Sequence, residues 1–285
     1  MISVVIVQYN HPELTKRAVE TLRLHHRGEF EIIVVDNGSP AAGVRAATEQ
    51  ITGCTVIFNS TNAGFGAANN RGARASHGEL LLFLNNDTLV RTEILPQIES
   101  HFAGSPSCGA AGLQLVNGDG TLQYSTGKFP TVWSEWRMSR RHDLYRRGDT
   151  VRRDWVSGAA MVVRRTVFEE VGRFDERYFM YFEDVDLCAR IRAAGHEIHY
   201  IPAISVEHLR GGSQPGGIPP SVQIEYRRSQ LLYYSRHASM MNNLLVRTYL
   251  FARFLPHSVL GNRDQRTVAS AVLSTIFESP DERRH

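Results

Sequence analysis

Residues 80–87 read Leu80-Leu81-Leu82-Phe83-Leu84-Asn85-Asn86-Asp87, an uninterrupted apolar run that ends in three polar residues. A short run without polar alternation is typical of a strand that is buried on both faces of a sheet. Its polar end then lies at the carboxyl end of the strand, where open α/β sheets bind their ligands. Polar residues also form ordinary turns, so this segment alone predicts a strand and not a site.

Strand-like and helical patterns alternate around this segment. Predicted strands cover 2–9, 30–36, 55–58 and 80–85, and the helices that follow them cover 13–24, 43–50, 64–75 and 93–102. This alternation indicates an α/β fold with a parallel sheet and right-handed crossovers. The second half is more mixed: we predict strands over 110–116, 155–164 and 196–201, a helix over 183–194, and a long irregular stretch over 117–154.

Residues 178–188 place three carboxylates, Glu183, Asp184 and Asp186, at the start of a predicted helix, directly after an aromatic run. A carboxylate beside aromatic rings is partly desolvated, which favours its taking a proton from a substrate hydroxyl. Acidic residues in a first helical turn also complement the helix dipole, and the local sequence does not separate the two roles.

Two further strand ends carry polar residues. Asp36 follows an apolar strand and precedes a glycine turn, and His208 lies beside the glycine-rich residues 211–213. Each feature alone is also compatible with turn chemistry or with a structural histidine.

In this order and spacing, these segments resemble the family 2 glycosyltransferases, and within them the bacterial rhamnosyltransferase-like group. The resemblance runs from about Ile2 to Ser213, and its most specific part pairs residues 155–160 with residues 172–187. Residues 62–72 are similar to the family's loop-helix segment near the nucleotide. Many members carry Asp-x-Asp where this chain has Asn85-Asn86-Asp87, which leaves one carboxylate for a cation.

The resemblance implies a GT-A-type fold, a Rossmann-like mixed sheet flanked by helices, with a C-terminal helical appendage. It implies a transferase domain over 1–213, with a nucleotide-binding half over about 1–116 and an acceptor half over about 117–213. A Gly/Pro-rich linker over 211–220 separates this domain from a helical region over 221–285.

Inverting sugar transfer needs one general base and a means of holding charge on the departing diphosphate. Glu183 and Asp184 are consecutive, so on a helix they point about a hundred degrees apart and only one of them faces the acceptor. The match to the family motif assigns the base to Asp184 and an orienting role to Glu183. It assigns Asp87 and His208 as ligands of Mn²⁺ or Mg²⁺.

The remaining site residues follow from the same resemblance. Tyr9 is expected to stack on the nucleobase, and Asp36 to accept a hydrogen bond from its N3–H. The nucleotide pocket is expected to be completed by Asn62, Arg71 and Asn86. The donor-sugar and acceptor site is expected to be lined by Trp155, Ser157 and Gly158, where the glycine permits close backbone approach.

The donor that the resemblance favours is dTDP-L-rhamnose, with UDP-glucose, UDP-galactose or another UDP-sugar as the alternative. The acceptor is expected to be a lipid-linked glycan or polysaccharide of the cell envelope. A sugar nucleotidyltransferase needs a glycine-rich loop after the first strand, where this chain has Tyr9-Asn10-His11-Pro12. A catalytically silent nucleotide-sugar-binding protein is a further alternative, which the presence of Asp184, Asp87 and His208 disfavours.

Composition excludes some classes of function. The chain has 285 residues, 42% hydrophobic residues and a net charge of +3, which suits one substantial core and demands no polyanion, so we expect no nucleic-acid partner. Cys54, Cys108 and Cys188 show neither zinc-ligand spacing nor a disulfide framework, and we expect buried free thiols. The sequence shows no signal peptide and no apolar span of membrane length, which predicts a cytoplasmic protein.

Two basic regions suggest contact with an anionic surface. Residues 137–153 carry seven arginines, and the helical pattern after Pro220 interleaves arginines with large apolar residues. Such helices lie in a membrane interface, pack on a core, or join two subunits. We therefore expect peripheral contact with the inner face of the membrane, with a homodimer as the alternative, and a frayed tail over 278–285.

Overall fold

The structure is a computed structural model that describes residues 1–136, 149–209 and 219–278. Its strands in chain order are β1 Ile2–Gln8, β2 Phe30–Asp36, β3 Thr55–Phe58, β4 Leu80–Asn85, β5 Thr88–Leu89, β6 Cys108–Val116, β7 Thr126–Gly127, β8 Val151–Arg153, β9 Trp155–Val156, β10 Ala160–Arg164 and β11 Glu197–His208. Its helices are α1 Pro12–His25, α2 Ala42–Glu49, α3 Phe65–Arg74, α4 Leu95–Gly104, α5 Val132–Trp136, α6 Arg165–Glu170, α7 Glu183–Ala193, α8 Pro220–His237, α9 Met240–Leu260 and α10 Arg263–Phe277.

A mixed sheet forms the centre of the molecule, with strand order β3-β2-β1-β4-β10-β6-β11-β5, and β8 pairs with β11 beside this path. Strands β1 to β4 are mutually parallel where they pair, as the alternation of strands and helices predicts. Strand β10 is antiparallel to both β4 and β6, and β11 runs parallel to β6. This is the predicted GT-A-type arrangement.

Three predictions about the chain differ from the structure. The stretch over 117–154, predicted to be irregular, contains β7, α5 and β8. The single strand over 155–164 is wrong: it is two strands, β9 and β10, because residues 157–159 turn between them. The strand over 196–201 is too short, because β11 continues to His208, where it pairs with β5. Its pairing with β6 shifts register between Ile201 and Ser205.

Helices cover both faces of the sheet. Helix α1 buries Thr15, Ala18, Val19 and Leu22, the i, i+3, i+4, i+7 spacing of one helical face. Ala18, Val19 and Leu22 join β1, β2 and β4 in one apolar cluster, while α3, α6 and α7 cover the opposite face. The strands have two covered faces, which explains why their sequences are apolar without alternation.

Helices α8 to α10 share a core with the loop that precedes α7. Tyr178, Phe182 and Val185 pack with residues of α8 such as Leu231 and Tyr234. Polar contacts add to this: His237 Nε2 lies 2.6 Å from Oδ1 of Asp186, and Arg190 lies 2.6 Å from its Oδ2. The fully buried Asp186 is therefore a structural link between α7 and α8.

Within the described residues, no helix combines the length and the apolar character that crossing a membrane requires. Predictions for the arginines of 137–148, for linker residues 211–218 and for the tail over 279–285 concern residues outside those that the structure describes.

Candidate active site

The carboxyl ends of β1, β2, β4 and β11 meet at one edge of the sheet, and so does the start of the antiparallel β10. This edge brings together the predicted residues that directly follow or end these strands: Tyr9, Asp36, Asn86, Asp87, Gly158 and His208. Residues up to 199 positions apart in the chain thus become neighbours along one edge, as the parallel-sheet argument requires.

Asp184 lies in the first turn of α7 and is held by two backbone N–H groups. Gly158 N–H donates to its Oδ2 at 3.0 Å, and Val185 N–H donates to its Oδ1 at 2.8 Å. Burial raises the pKa of Asp184, and the two N–H donors oppose that shift. The carboxylate is therefore more basic than in water while its orientation is fixed, which suits a general base.

Glu183 is only 6% exposed, and its Oε2 has no hydrogen-bond partner among the residues that the structure describes. Burial, and next the negative charge of Asp184, hold the pKa of Glu183 well above its usual range. Two adjacent buried carboxyl groups do not readily ionise together, and Glu183 has the stronger tendency of the two to hold a proton.

The loop before α7 is clamped onto the start of α3. Phe65 N–H donates to Phe179 O at 2.8 Å, and a Cβ at Gly64, whose φ is +87°, would lie 2.5 Å from the same oxygen. Tyr181 and Phe182 have φ values of +69° and +64°, which is uncommon for aromatic residues. This contact places the 62–72 segment directly against the carboxylates.

Asp87 and His208 meet because β5 pairs with β11. His208 lies opposite Thr88, and Leu209 N–H donates to Asp87 O at 2.9 Å. As a result His208 Nε2 lies 3.1 Å from Asp87 Oδ1. The structure therefore unites the two predicted metal ligands, which are 121 positions apart.

Gln123 determines which imidazole nitrogen of His208 faces Asp87. Its amide nitrogen donates to Asn117 Oδ1 and to His208 O, both at 2.7 Å. Its Oε1 is then the atom 2.8 Å from His208 Nδ1, which must carry the hydrogen. In the neutral ring, the Nε2 lone pair then faces Asp87 Oδ1 at 3.1 Å and Asn85 Nδ2 at 3.2 Å. A divalent cation suits a position between this imidazole nitrogen and the carboxylate oxygen.

The nucleobase end of the edge is densely hydrogen-bonded. Asp36 is fully buried, its Oδ2 accepts from Gln8 Nε2 at 2.7 Å, and its Oδ1 accepts from Ser39 N–H at 2.8 Å. The N3–H group of a nucleobase would have to join this hydrogen-bond network to reach Asp36. The predicted contact of Asp36 with the nucleobase stays a prediction. Tyr9 follows Gln8 with 40% of its surface exposed, which leaves its ring open to stacking.

Asn37, which the sequence analysis did not single out, organises the loop that carries Asn62. Its Nδ2 donates to Asn62 Oδ1 at 2.9 Å, and its Oδ1 accepts from Asn59 Nδ2 at 2.8 Å and from Ala63 N–H at 3.1 Å. Asn62 Oδ1 also caps the Gly64 N–H at 3.0 Å. The only sequence signal for Asn37 is that it is a polar residue directly after β2.

Arg71 and Asn86 face other parts of the nucleotide-binding half. Arg71 is exposed on α3 and contacts Asn59 Oδ1, and Asn86 Nδ2 donates to Thr15 Oγ1 at 3.3 Å. Neither side chain is among the groups that hold Asp184 or His208, so their predicted roles at the nucleotide stay predictions.

Trp155 and Ser157 are held by residues 124–128. Trp155 Nε1 donates to Lys128 O at 3.0 Å, and its ring packs edge-on against Tyr124. Ser157 N–H donates to Ser125 O at 2.8 Å. At Gly158 a Cβ would lie 3.1 Å from the Phe65 ring, so this turn needs a small residue beside Asp184.

The sequence model of the family called Glycosyl transferase family 2 matches residues 3–172 of this chain. The match covers the mixed sheet from β1 to β10 and the residues of the carboxyl edge up to Gly158. The chain belongs to this glycosyltransferase family.

Its relatives place it further within the family. It is 26% identical to the N-acetylglucosaminyl-diphospho-decaprenol L-rhamnosyltransferase of Mycobacterium tuberculosis, over 89% of this chain and 93% of that protein. It is 31% identical to the rhamnosyltransferase WbbL of Escherichia coli K12, over 73% of this chain and 83% of that protein. The chain therefore groups with the rhamnosyltransferase-like members.

Solved structures support the same fold at low identity. The structure of GalNAc-T7 with UDP, GalNAc and Mn²⁺ superposes with a TM-score of 0.63 at 15% identity, covering 97% of this chain and 55% of that one. The mannosyltransferase PcManGT of Pyrobaculum calidifontis with GDP-Man and Mn²⁺ gives 0.58 at 14% identity, covering 96% and 74%.

Proposed function

We propose that the protein transfers L-rhamnose from dTDP-L-rhamnose to a lipid-linked or polysaccharide acceptor in cell-envelope glycan synthesis, with inversion at the anomeric carbon. The observation that carries this proposal is Asp184, a buried carboxylate held by the Gly158 and Val185 N–H groups at the carboxyl edge of the sheet. The two rhamnosyltransferases named above support the choice of sugar.

Asp184 acts as the base. It takes the proton of the acceptor hydroxyl, whose oxygen attacks the anomeric carbon while the bond from that carbon to the diphosphate oxygen breaks. Attack from the face opposite the leaving group converts the donor's β-linkage into an α-L-rhamnoside. Glu183 stays protonated and orients the acceptor or a neighbouring group, because its position beside Asp184 disfavours a second charge.

Asp87 and His208, whose side chains lie 3.1 Å apart, would hold a divalent cation, Mn²⁺ or Mg²⁺. When bound, such a cation stabilises the negative charge of the departing diphosphate. Gln123 holds the His208 ring so that Nε2 faces this position. A hydrogen bond to the other ring nitrogen of a ligating histidine fixes both the tautomer and the direction of the ring.

The nucleotide lies along the ends of β1 and β2. Tyr9 stacks on the base and Asp36 accepts its N3–H, while the ribose and diphosphate contact the amide-rich loop around Asn62, with Arg71 and Asn86. Trp155, Ser157 and Gly158 line the place where donor sugar and acceptor meet. Support for this placement is the shared edge of the sheet and the clamp between Gly64 and Phe179.

The test is a nucleotide panel. We expect dTDP to raise the melting temperature more than UDP or GDP does, and only with Mn²⁺ or Mg²⁺ present. A preference for UDP would move the donor to a UDP-hexose, and a preference for GDP would also overturn the base contacts of Tyr9 and Asp36. Turnover of dTDP-L-rhamnose with a lipid-diphosphate acceptor then tests the sugar.

Asp87→Ala and His208→Ala test the cation site in the same assay. Each should abolish the metal-dependent part of the dTDP shift, whereas Asp119→Asn, an exposed carboxylate near Gln123 in the chain, should leave it intact. Full transferase activity after exhaustive dialysis against EDTA would contradict the cation-dependent mechanism.

We further propose that the protein attaches peripherally to an anionic membrane through α9. This helix exposes a stripe of apolar side chains on one face: Met240, Met241, Leu244, Leu245, Phe251, Leu255 and Val259. A wide apolar face on an exposed helix is typical of an interfacial helix. Attachment here would hold the enzyme at the surface where a lipid-linked acceptor is found, and a homodimer through the same face is the competing outcome.

A further inference from the structure

A second group of potential metal ligands lies at the edge of the sheet opposite the active site. His101 is in the last turn of α4, Cys108 begins β6 and His199 is near the start of β11. Because β6 and β11 are parallel, their starts lie at the amino-terminal edge, while Val116 and His208 end them at the active-site edge. Nine residues of β6 separate the two edges by roughly 27 Å.

The three ligand atoms converge. His101 Nε2 lies 3.0 Å from His199 Nδ1, and one ring nitrogen of each histidine and Cys108 Sγ all lie within 4.8 Å of one another. In a tetrahedral zinc shell, bonds of about 2.1 Å to nitrogen and 2.3 Å to sulfur place ligand atoms roughly 3.5 Å apart. Shifts of about 1 Å would therefore complete such a shell.

His199 is already oriented as a metal ligand. Its Nε2 lies 2.9 Å from Glu197 Oε2, which only accepts, so Nε2 carries the hydrogen and the Nδ1 lone pair points toward His101 and Cys108. Arg152 holds the other carboxylate oxygen of Glu197 at 2.7 Å. Histidine ligands of metals commonly donate their second N–H to a carboxylate in this way.

Space for a further ligand is also present. A cavity of about 500 Å³ opens beside the cluster and is lined by His101, His199, Glu197 and Arg152, together with residues 104–107 and Thr150. An exchangeable water could therefore reach the fourth position of a tetrahedral shell, while Cys108 is fully buried and does not line the cavity.

We propose that His101 Nε2, Cys108 Sγ and His199 Nδ1 bind one divalent cation of the zinc class, with a water molecule as fourth ligand. The set of one thiolate and two imidazoles favours Zn²⁺ or Co²⁺ over the oxygen-preferring Mg²⁺ and Mn²⁺. Bound, the ion joins α4 to β6 and β11, so its effect is to stabilise the fold at this edge.

Metal binding requires one proton to leave the site and one to change position. His101 moves its ring hydrogen from Nε2 to Nδ1, His199 keeps its Nε2 hydrogen, and the Cys108 thiol releases one proton to solvent as its sulfur–metal bond forms. Burial raises the pKa of Cys108 to about 12, and the nearby Arg164 opposes this shift. That arginine donates to the carbonyl oxygens of Phe102, Ser105 and Cys108, which partly offset its charge beside the ion.

Cobalt substitution distinguishes this site from the active-site cation. Co²⁺ bound to a thiolate gives a near-ultraviolet charge-transfer band, which Asp87 and His208 cannot produce because they carry no sulfur. We expect one equivalent of Co²⁺ to give this band in the full chain, and Zn²⁺ to displace it. The double variant Asp87→Ala, His208→Ala should keep the band.

Cys108→Ser and His101→Ala should each lose the band and also the rise in melting temperature that Zn²⁺ produces, whereas Cys54→Ser should keep both. His101 is partly exposed, so its variant remains informative if Cys108→Ser does not fold, which circular dichroism would show. Absence of the band in the unmodified protein, or its persistence in His101→Ala or in a folded Cys108→Ser variant, would overturn the proposal.

Discussion

The carboxyl edge of the sheet and the outer face of α9 differ in how their side chains are supported by the rest of the chain. At the edge, polar side chains are held by partners from other segments, as Gly158 holds Asp184 and Gln123 holds His208. On α9, the described residues leave apolar side chains uncovered, and Met240 and Leu260 are 89% and 84% exposed. In the first region, polar groups are already fixed in position, which suits a small polar ligand. In the second region, apolar side chains are exposed, which suits contact with another apolar surface.

The two regions are nonetheless connected through α8. Ser229 Oγ donates to Met180 O at 2.8 Å, and His237 contacts Asp186, so α8 holds the loop that delivers Glu183 and Asp184. Helix α9 packs on α8 and α10 through Val246 and Leu250. The helix proposed to meet a membrane therefore packs on α8, which in turn packs on the loop before α7.

The largest expected effect tests the pre-organised edge. Asp184→Asn keeps the shape of the side chain and removes its basicity, so turnover should fall by at least ~10² while donor affinity changes only a few-fold. Steady-state kinetics and nucleotide titration measure the two quantities separately. A larger loss of turnover in Glu183→Gln, with binding intact, would reassign the base.

Gly64→Ala tests the clamp between α3 and the catalytic loop. The added Cβ would meet Phe179 O at 2.5 Å with φ at +87°, so we expect a loss of unfolding free energy on the order of 3 kcal/mol. Gly195→Ala is the matched control: its φ is +91° and its Cβ site is open. That variant should lose only about 1 to 2 kcal/mol in denaturant titration. Equal losses would show that backbone strain alone matters at Gly64.

Replacing two leucines tests the uncovered region. Leu244→Gln with Leu255→Gln should weaken binding to anionic liposomes by at least about tenfold, because each leucine contributes roughly 1.5 kcal/mol or more on burial. Leu24→Gln, an exposed leucine on α1, is the control and should bind as the unmodified protein does. Cosedimentation at low and high salt measures this. Concentration-dependent dimer formation without liposome binding would favour a second subunit instead.

The smallest effect concerns Glu183 and pH. Its pKa is raised in the folded state, so below the unfolded value near 4.5 both states are protonated and the side chain has no pH-dependent effect. As pH rises above that value, the unfolded chain ionises first and stability is lost. Glu183→Gln should therefore melt a few degrees higher than the unmodified protein at pH 8, with the gap narrowing toward pH 4.5. A gap independent of pH would contradict this ionisation scheme.

Local sequence patterns predicted the strands and helices of the first half closely. Strands 30–36, 55–58 and 80–85 have the predicted bounds. For β2 and β4 the reason is that runs buried on both faces are largely apolar and end abruptly in polar residues, whereas the edge strand β3 is only partly buried. The break at residues 157–159 was not predicted. Residues 155–164 are suited to a strand, and only the contact of Gly158 with Asp184 explains the turn.

The sequence by itself determined the α/β class, the family and the residue types at the strand ends. These features depend on periodicity and on motifs whose residues are close together in the chain. Only the tertiary structure decided which residues hold the predicted site residues in position. Gln123 contacts His208 from 85 positions away, and Asn37 contacts Asn62 from 25 positions away. It also united His101, Cys108 and His199, whose spacing suggested no zinc site. Pairing of distant strands creates such contacts, and no local pattern encodes them, because each side chain alone is an ordinary polar or buried residue.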